Sequence, residues 1–182
     1  MRASNFLVIL LLLMVSGTFV FPVVGGSGTC YIPHYNIYYN EIFYLKTAYT
    51  YFFVSNITGS NIDVEITFYK ANSGDILLDG DDSTTEGFFR AENVLSYDES
   101  PVSGSSVKFS IAPHKTAKFS LKDEDEDECS VYGYGVIEWS QNSSVLKGLI
   151  AHGMVIATDG YLNSSNVRKS GVCIPINEGQ PF

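Results

Sequence analysis

The sequence predicts an all-β protein: a single antiparallel β-sandwich or jelly roll, carried behind an N-terminal export signal. Three observations point there. Short runs alternate apolar and polar residues with period two, as in Ile62, Val64, Ile66 and Phe68 against Asp63, Glu65 and Thr67, the pattern of a half-buried strand. Turn residues separate these runs at close spacing, which is how sandwiches are punctuated. Past Thr29 no stretch carries a helical apolar stripe with caps, while 12 Tyr and 12 Phe supply side chains that strands favour.

The elements follow in chain order. Arg2 precedes an almost unbroken apolar run from Phe6 to Val24, and small residues come after it at Gly25, Gly26 and Gly28. A short basic start, an apolar core and small residues make up a cleaved signal. An uncleaved anchor is the alternative, but Ser16, Gly17, Thr18 and Pro22 dilute the run, and no Lys/Arg cluster flanks it. The cut falls between Gly17 and Gly28. Residues 1–28 are thus read as signal and flexible Gly-rich lead-in, and residues 29–182 as one sandwich domain.

In that domain Thr47 to Ile57 and Ile62 to Phe68 read as a hairpin around Thr58, Gly59, Ser60 and Asn61. Asn72 to Asp75 is a second turn, before a short strand at Ile76 to Leu78. Asp79 to Pro101 is a long connection. Val107, Phe109 and Ile111 alternate with Lys108 and Ser110, and a turn holding Pro113 leads into Ala117, Phe119 and Leu121. Val131 to Trp139 and Val145 to Ala157 form a last pair, and a mobile tail follows from Thr158 to Asn166. Gly133, Gly135, Gly148 and Gly153 inside strands mark bulges or close sheet contacts.

The succession Asn56-Ile57-Thr58, alternating strand, Phe68-Tyr69 and Gly74 turn resembles exported prokaryotic β-sandwich modules of the immunoglobulin-like kind. So does the element from Val107 to Leu121, with Ala112 to Thr116 as its turn. The resemblance covers about two thirds of the chain and implies a fold and an extracellular habit, not an activity.

Charge narrows the partners. Removing the leader takes away one basic residue, Arg2, of 11 and none of the 20 acidic ones, so the mature chain carries a net charge of −10. Nucleic acid and anionic membrane surfaces both need a basic patch and are excluded as partners. Cys30, Cys129 and Cys173 are an odd set for an oxidising compartment: one bridge, with Cys30–Cys173 the preferred pairing, and one thiol left over that is either buried and inert or paired with another molecule.

Three constellations stand out. The run Asp123, Glu124, Asp125, Glu126, Asp127, Glu128 packs carboxylates together. It reads as a solvated loop, with Ca²⁺ on Asp123, Asp125 and Asp127 as the metal alternative and the one cofactor this chain suggests. The segment from Tyr31 to Phe53 is dense in aromatics. Alternation lets only half of them face a core, so Tyr31, Tyr35, Tyr38 and Tyr44 are candidates for an interface or for stacking on sugars. Asn56, Asn142 and Asn163 begin Asn-x-Ser/Thr glycosylation sites.

Enzyme signatures are missing. His34, His114 and His152 lack metal-ligand spacing, and no nucleophile elbow or phosphate loop is present. His152 reads as a nearly buried, hydrogen-bonded side chain, and nothing singles out Glu65 or Glu138 as a glycosidase pair. Trp139 reads as core. The expected function is therefore non-catalytic: a secreted or cell-surface structural protein, self-associating or bound to another surface protein in a filament, layer or matrix. A secreted carbohydrate-binding module, with glycans as partners, is the alternative.

Overall fold

A computed structural model describes residues 25–40, 44–77, 89–98, 106–121, 129–161 and 168–182. Its regular elements are ten strands: β1 (Gly26–Asn40), β2 (Tyr44–Asn56), β3 (Ile62–Lys70), β4 (Phe89–Glu92), β5 (Ser96–Asp98), β6 (Val107–Ile111), β7 (Thr116–Leu121), β8 (Cys129–Gln141), β9 (Leu149–Tyr161) and β10 (Arg168–Pro175). A 3-10 turn follows at Asn177–Gly179. The protein is all-β, and among the described residues every strand pairing is antiparallel.

The strand order is β10-β9-β2-β1-β8-β3-β6-β5, with β7 branching from β2 and β4 from β7. The fork lies within β2. One edge of β2 is covered by β9 along its whole length, from Tyr44 to Asn56. The other edge is shared: Lys46 to Ala48 pair with β1, and Thr50 to Ser55 pair with β7. Where β1 leaves β2, Thr50 closes the gap. Its buried hydroxyl accepts from the Asn36 N–H at 2.8 Å and donates to the Asn36 carbonyl at 2.9 Å. A side chain there stands in for a missing ladder partner.

Burial follows the alternation. In β3 the side chains of Ile62, Val64, Ile66 and Phe68 are buried and their neighbours are not, and β6 repeats the pattern with Val107, Phe109 and Ile111. The centre of the core is aromatic. Phe68 lies 5.8 Å from Phe52 and 5.7 Å from Phe119, and Tyr35 meets Phe68 edge-on at 5.2 Å. These rings come from β1, β2, β3 and β7, so one cluster ties both arms of the fork together. Full burial of each is worth about 2 kcal/mol or more.

Several expectations are corrected. Consecutive strands do not pair where hairpins were read: β2 pairs with β1, β7 and β9, whereas β3 pairs with β6 and β8. Nor do β8 and β9 pair; β8 lies between β1 and β3, and β9 between β2 and β10. The turns after β2 and β8 carry the chain to a different neighbour instead of folding it back on itself. The lead-in from Gly26 to Gly28 is not a free tether, because it pairs with Gln141 to Trp139 as the start of β1. A Cβ on Gly28 would stand 2.5 Å from the Trp139 indole nitrogen, so that close approach requires glycine. The expected long connection contains β4 and β5, and the expected tail begins inside β9. Gly135 and Gly153 are the close contacts that glycine in a strand suggested, against Phe68 and Phe52 respectively.

Candidate functional site

Because side chains alternate across a strand, the residues of β1, β8, β3 and β6 that do not enter the core share one outward face. The register places them in rows. One row is Thr29, Glu138, Glu65 and Lys108; the next is Ser27, Ser140, Asp63, Ser110 and Ser96. A third joins Tyr31, Val136 and Thr67, and beyond it Tyr134 stands opposite Tyr69. Carboxylates and hydroxyls thus occupy one end of the face and tyrosines the other.

The polar end is only partly self-satisfied. Glu65 accepts from Ser106 Oγ at 2.6 Å and pairs with Lys108 Nζ at 3.3 Å, while Asp63 accepts from Ser110 Oγ. Glu138 lies directly across from Glu65, a like-charge pair that costs stability in a sheet. Among the described residues no hydrogen bond or ion pair engages Glu138. A shallow depression of about 670 Å³ lies over these side chains, lined by Asp63, Glu65, Ser96, Lys108, Ser110, Glu138 and Ser140. At the aromatic end Tyr69 and Tyr134 stack at 5.0 Å with their planes 13° apart, and Tyr31 and Tyr132 stand 66% and 55% exposed. Chemically, the face can accept hydrogen bonds and positive charge and offers rigid aromatic area beside them.

The candidates read from sequence divide sharply. Tyr31 belongs to this face. Tyr35 does not; it is fully buried in the core, because a bulge between Ile32 and Tyr35 turns it inward. Tyr38 is half-buried against the core, and the Tyr44 side chain lies outside the described residues. Tyr132 and Tyr134 were missed, although the alternation Tyr132, Tyr134, Val136, Glu138 was there to be read. Trp139 is core, wedged beside Gly28 and Gly148, so it is not a stacking platform. His152 is exposed and stacked on Phe53 at 5.1 Å rather than nearly buried.

Asn56 is not an open glycosylation site. It is buried, and its amide nitrogen donates to the carbonyls of Ser60, Ile111 and Ala112. Asn142 is exposed in the connection after β8, and Asn163 lies outside the described residues. Cys30 and Cys173 are both free thiols, so the preferred bridge between them is not formed: Cys30 is buried, whereas Cys173 is exposed on β10. Burial pushes the Cys30 thiol above its ordinary range, partly offset by hydrogen bonds to the backbone of Tyr31 and Asn177. The Cys129 side chain, the run holding Asp123, Asp125 and Asp127, and the leader through Val24 lie outside the described residues. Among the described residues no three His, Cys, Asp or Glu side chains come together as a metal site, and no helix is long and apolar enough to cross a membrane.

Comparison with known proteins adds little. No family model and no curated protein matches the chain. A crystal structure of Thermotoga maritima 1070 is similar at 13% identity, covering 85% of this chain and 98% of that one with a TM-score of 0.40, a likeness too distant to bear on function.

Proposed function

We propose that this chain is an exported structural protein that works by contact, a self-assembling subunit of an extracellular filament, surface layer or matrix. One observation carries the reading: the outward face of β1, β8 and β3 exposes Tyr31, Tyr132 and Tyr134. Protein interfaces concentrate aromatic side chains of this kind, because they bring large rigid area with a polar tip. The body presenting it is taken as two packed layers, β10-β9-β2-β7-β4 against β5-β6-β3-β8-β1. Support for that comes from the two sets of pairings and from the rings of Phe52, Phe68 and Phe119 meeting between them. Export rests on the leader from Arg2 to Val24.

Light scattering and electron microscopy of the secreted protein test this reading. Concentration-dependent oligomers or fibres, weakened by Tyr31→Ala with Tyr134→Ala, are expected. A monomer at every concentration would remove it.

The depression beside the tyrosines favours a second reading, a carbohydrate-binding module. Carboxylates and serines would accept hydrogen bonds from sugar hydroxyls while Tyr31 stacks on a ring face. Glycan-array binding lost on Tyr31→Ala and Glu138→Gln is its expected signature, and no binding at millimolar glycan would dismiss it.

A further inference from the structure

Resting on the reading of a self-assembling subunit, we infer that copies of this chain join head to tail, the Arg168–Lys169 end of β10 on one copy seating on the face of Asp63, Glu65 and Glu138 on the next. The acidic surface is built from neighbouring strands. Asp63 and Glu65 project from β3 and Glu138 from β8, with Glu65 and Glu138 directly opposed. Among the described residues Lys108 is the ammonium that reaches this group, at 3.3 Å from Glu65, and the three carboxylates outnumber it. A partner bringing cations relieves the repulsion between Glu65 and Glu138 that the isolated sheet bears.

The complementary surface lies elsewhere on the same molecule. β10 ends the strand order and pairs only with β9, leaving its second edge open among the described residues. Its residues from Arg168 to Cys173 are exposed in succession and begin with two cations. Asp159 stands opposite Arg168 and Thr158 opposite Lys169, so one carboxylate faces the two positive charges. Through the ladders Arg168 is level with Asp159, Lys46 and Asn40, at one end of β1, whereas Glu138 lies opposite Thr29, near the other end of that strand. A copy's own Arg168 therefore sits toward the opposite end of the strands from its own acidic face.

These placements select the mode of contact. Two acidic faces pressed together repel, which disfavours a two-fold contact through that surface. Joining two different surfaces is heterologous, and repetition of such a contact closes a ring or extends a filament. Tyr31 and Tyr134 beside the carboxylates add aromatic area and a seat for the Arg168 guanidinium. Apposed opposite charges also fix which surface meets which.

A charge-swap experiment on the full secreted chain tests this. One variant carries Arg168→Glu with Lys169→Glu, the other Asp63→Lys with Glu138→Lys, and circular dichroism checks that each keeps its fold. Each alone should need at least about tenfold more protein to assemble than the parent. Mixed in equal amounts they should assemble again, because each reversed surface now meets its complement. Should the lysine variant unfold, Asp63→Asn with Glu138→Gln removes the same charges at constant shape and must also weaken assembly. Parent-like assembly of either variant alone, or no recovery on mixing, overturns the head-to-tail contact while leaving self-assembly standing. A parent protein that never associates, or whose acidic face binds only glycan, overturns both.

Discussion

Asn56 commits both ends of its amide to the connection after β2 and to the end of β6. Nδ2 donates to the carbonyls of Ser60, Ile111 and Ala112 at 2.7, 3.1 and 3.1 Å, and Oδ1 accepts from the N–H and hydroxyl of Thr58, each at 2.8 Å. Removing such a group strands several buried partners at once. Asn56→Ala should lower unfolding stability by about 3 kcal/mol in urea titration. The folded protein from a glycosylating host should carry no glycan at Asn56 by peptide mass mapping.

The two described thiols should differ in the same way. Cys173 is exposed and should react quickly with an aromatic disulfide reagent, while Cys30 should react only on unfolding. Because burial makes the folded Cys30 hold its proton more tightly, the stability it contributes is whole below the ordinary thiol value of 9.0 and declines as pH rises beyond it. A melting midpoint that falls above that pH in the parent, and falls less in Cys30→Ala, is the expected result.

Among the elements, the fork in β2 depends on one hydroxyl. Thr50→Val keeps the shape but leaves the Asn36 N–H and carbonyl without that partner, at a cost of about 2 kcal/mol by chemical denaturation. Close strand approach is tested by glycine. A Cβ on Gly133 would overlap the Tyr69 carbonyl oxygen, whereas one on Gly59 meets nothing within 4 Å. Gly133→Ala should therefore cost about 2 kcal/mol or more, and Gly59→Ala should leave the melting midpoint unchanged.

Element detection from sequence worked where alternation is clean, as at Ile62 to Phe68 and at Val107 to Ile111. It failed at β1, where the bulge at Pro33 and His34 switches the buried positions from Cys30 and Ile32 to Tyr35, Ile37 and Tyr39. It failed at β10 because exposure on both sides from Arg168 to Cys173 leaves no alternation to see. The tyrosine cluster was half legible: Tyr31 was named, whereas Tyr134, in a strand read only as one of a last pair, was not singled out.

For the whole molecule, the start of β1 bears on processing. Gly26 to Gly28 pair with Gln141 to Trp139, and a Cβ on Gly26 would overlap the Val145 carbonyl oxygen. A cut at Gly28 would remove that end of the ladder, so within the proposed export route the leader should be cleaved before Gly26. N-terminal mass spectrometry of the secreted species should find Gly26 retained. A mature chain beginning at Thr29 would contradict this.

Read alone, the sequence determined that the chain is built of strands and, where the alternation is clean, as at Ile62 to Phe68 and Val107 to Ile111, which side chains turn inward, because a two-residue period is a local property of side-chain chemistry. Only the tertiary structure decided which strands lie side by side. Backbone N–H and carbonyl groups are the same at every residue and record no partner. That pairing brought Glu65 opposite Glu138, set Tyr31 and Tyr134 on one face with them, and sent Tyr35 and Asn56 inside.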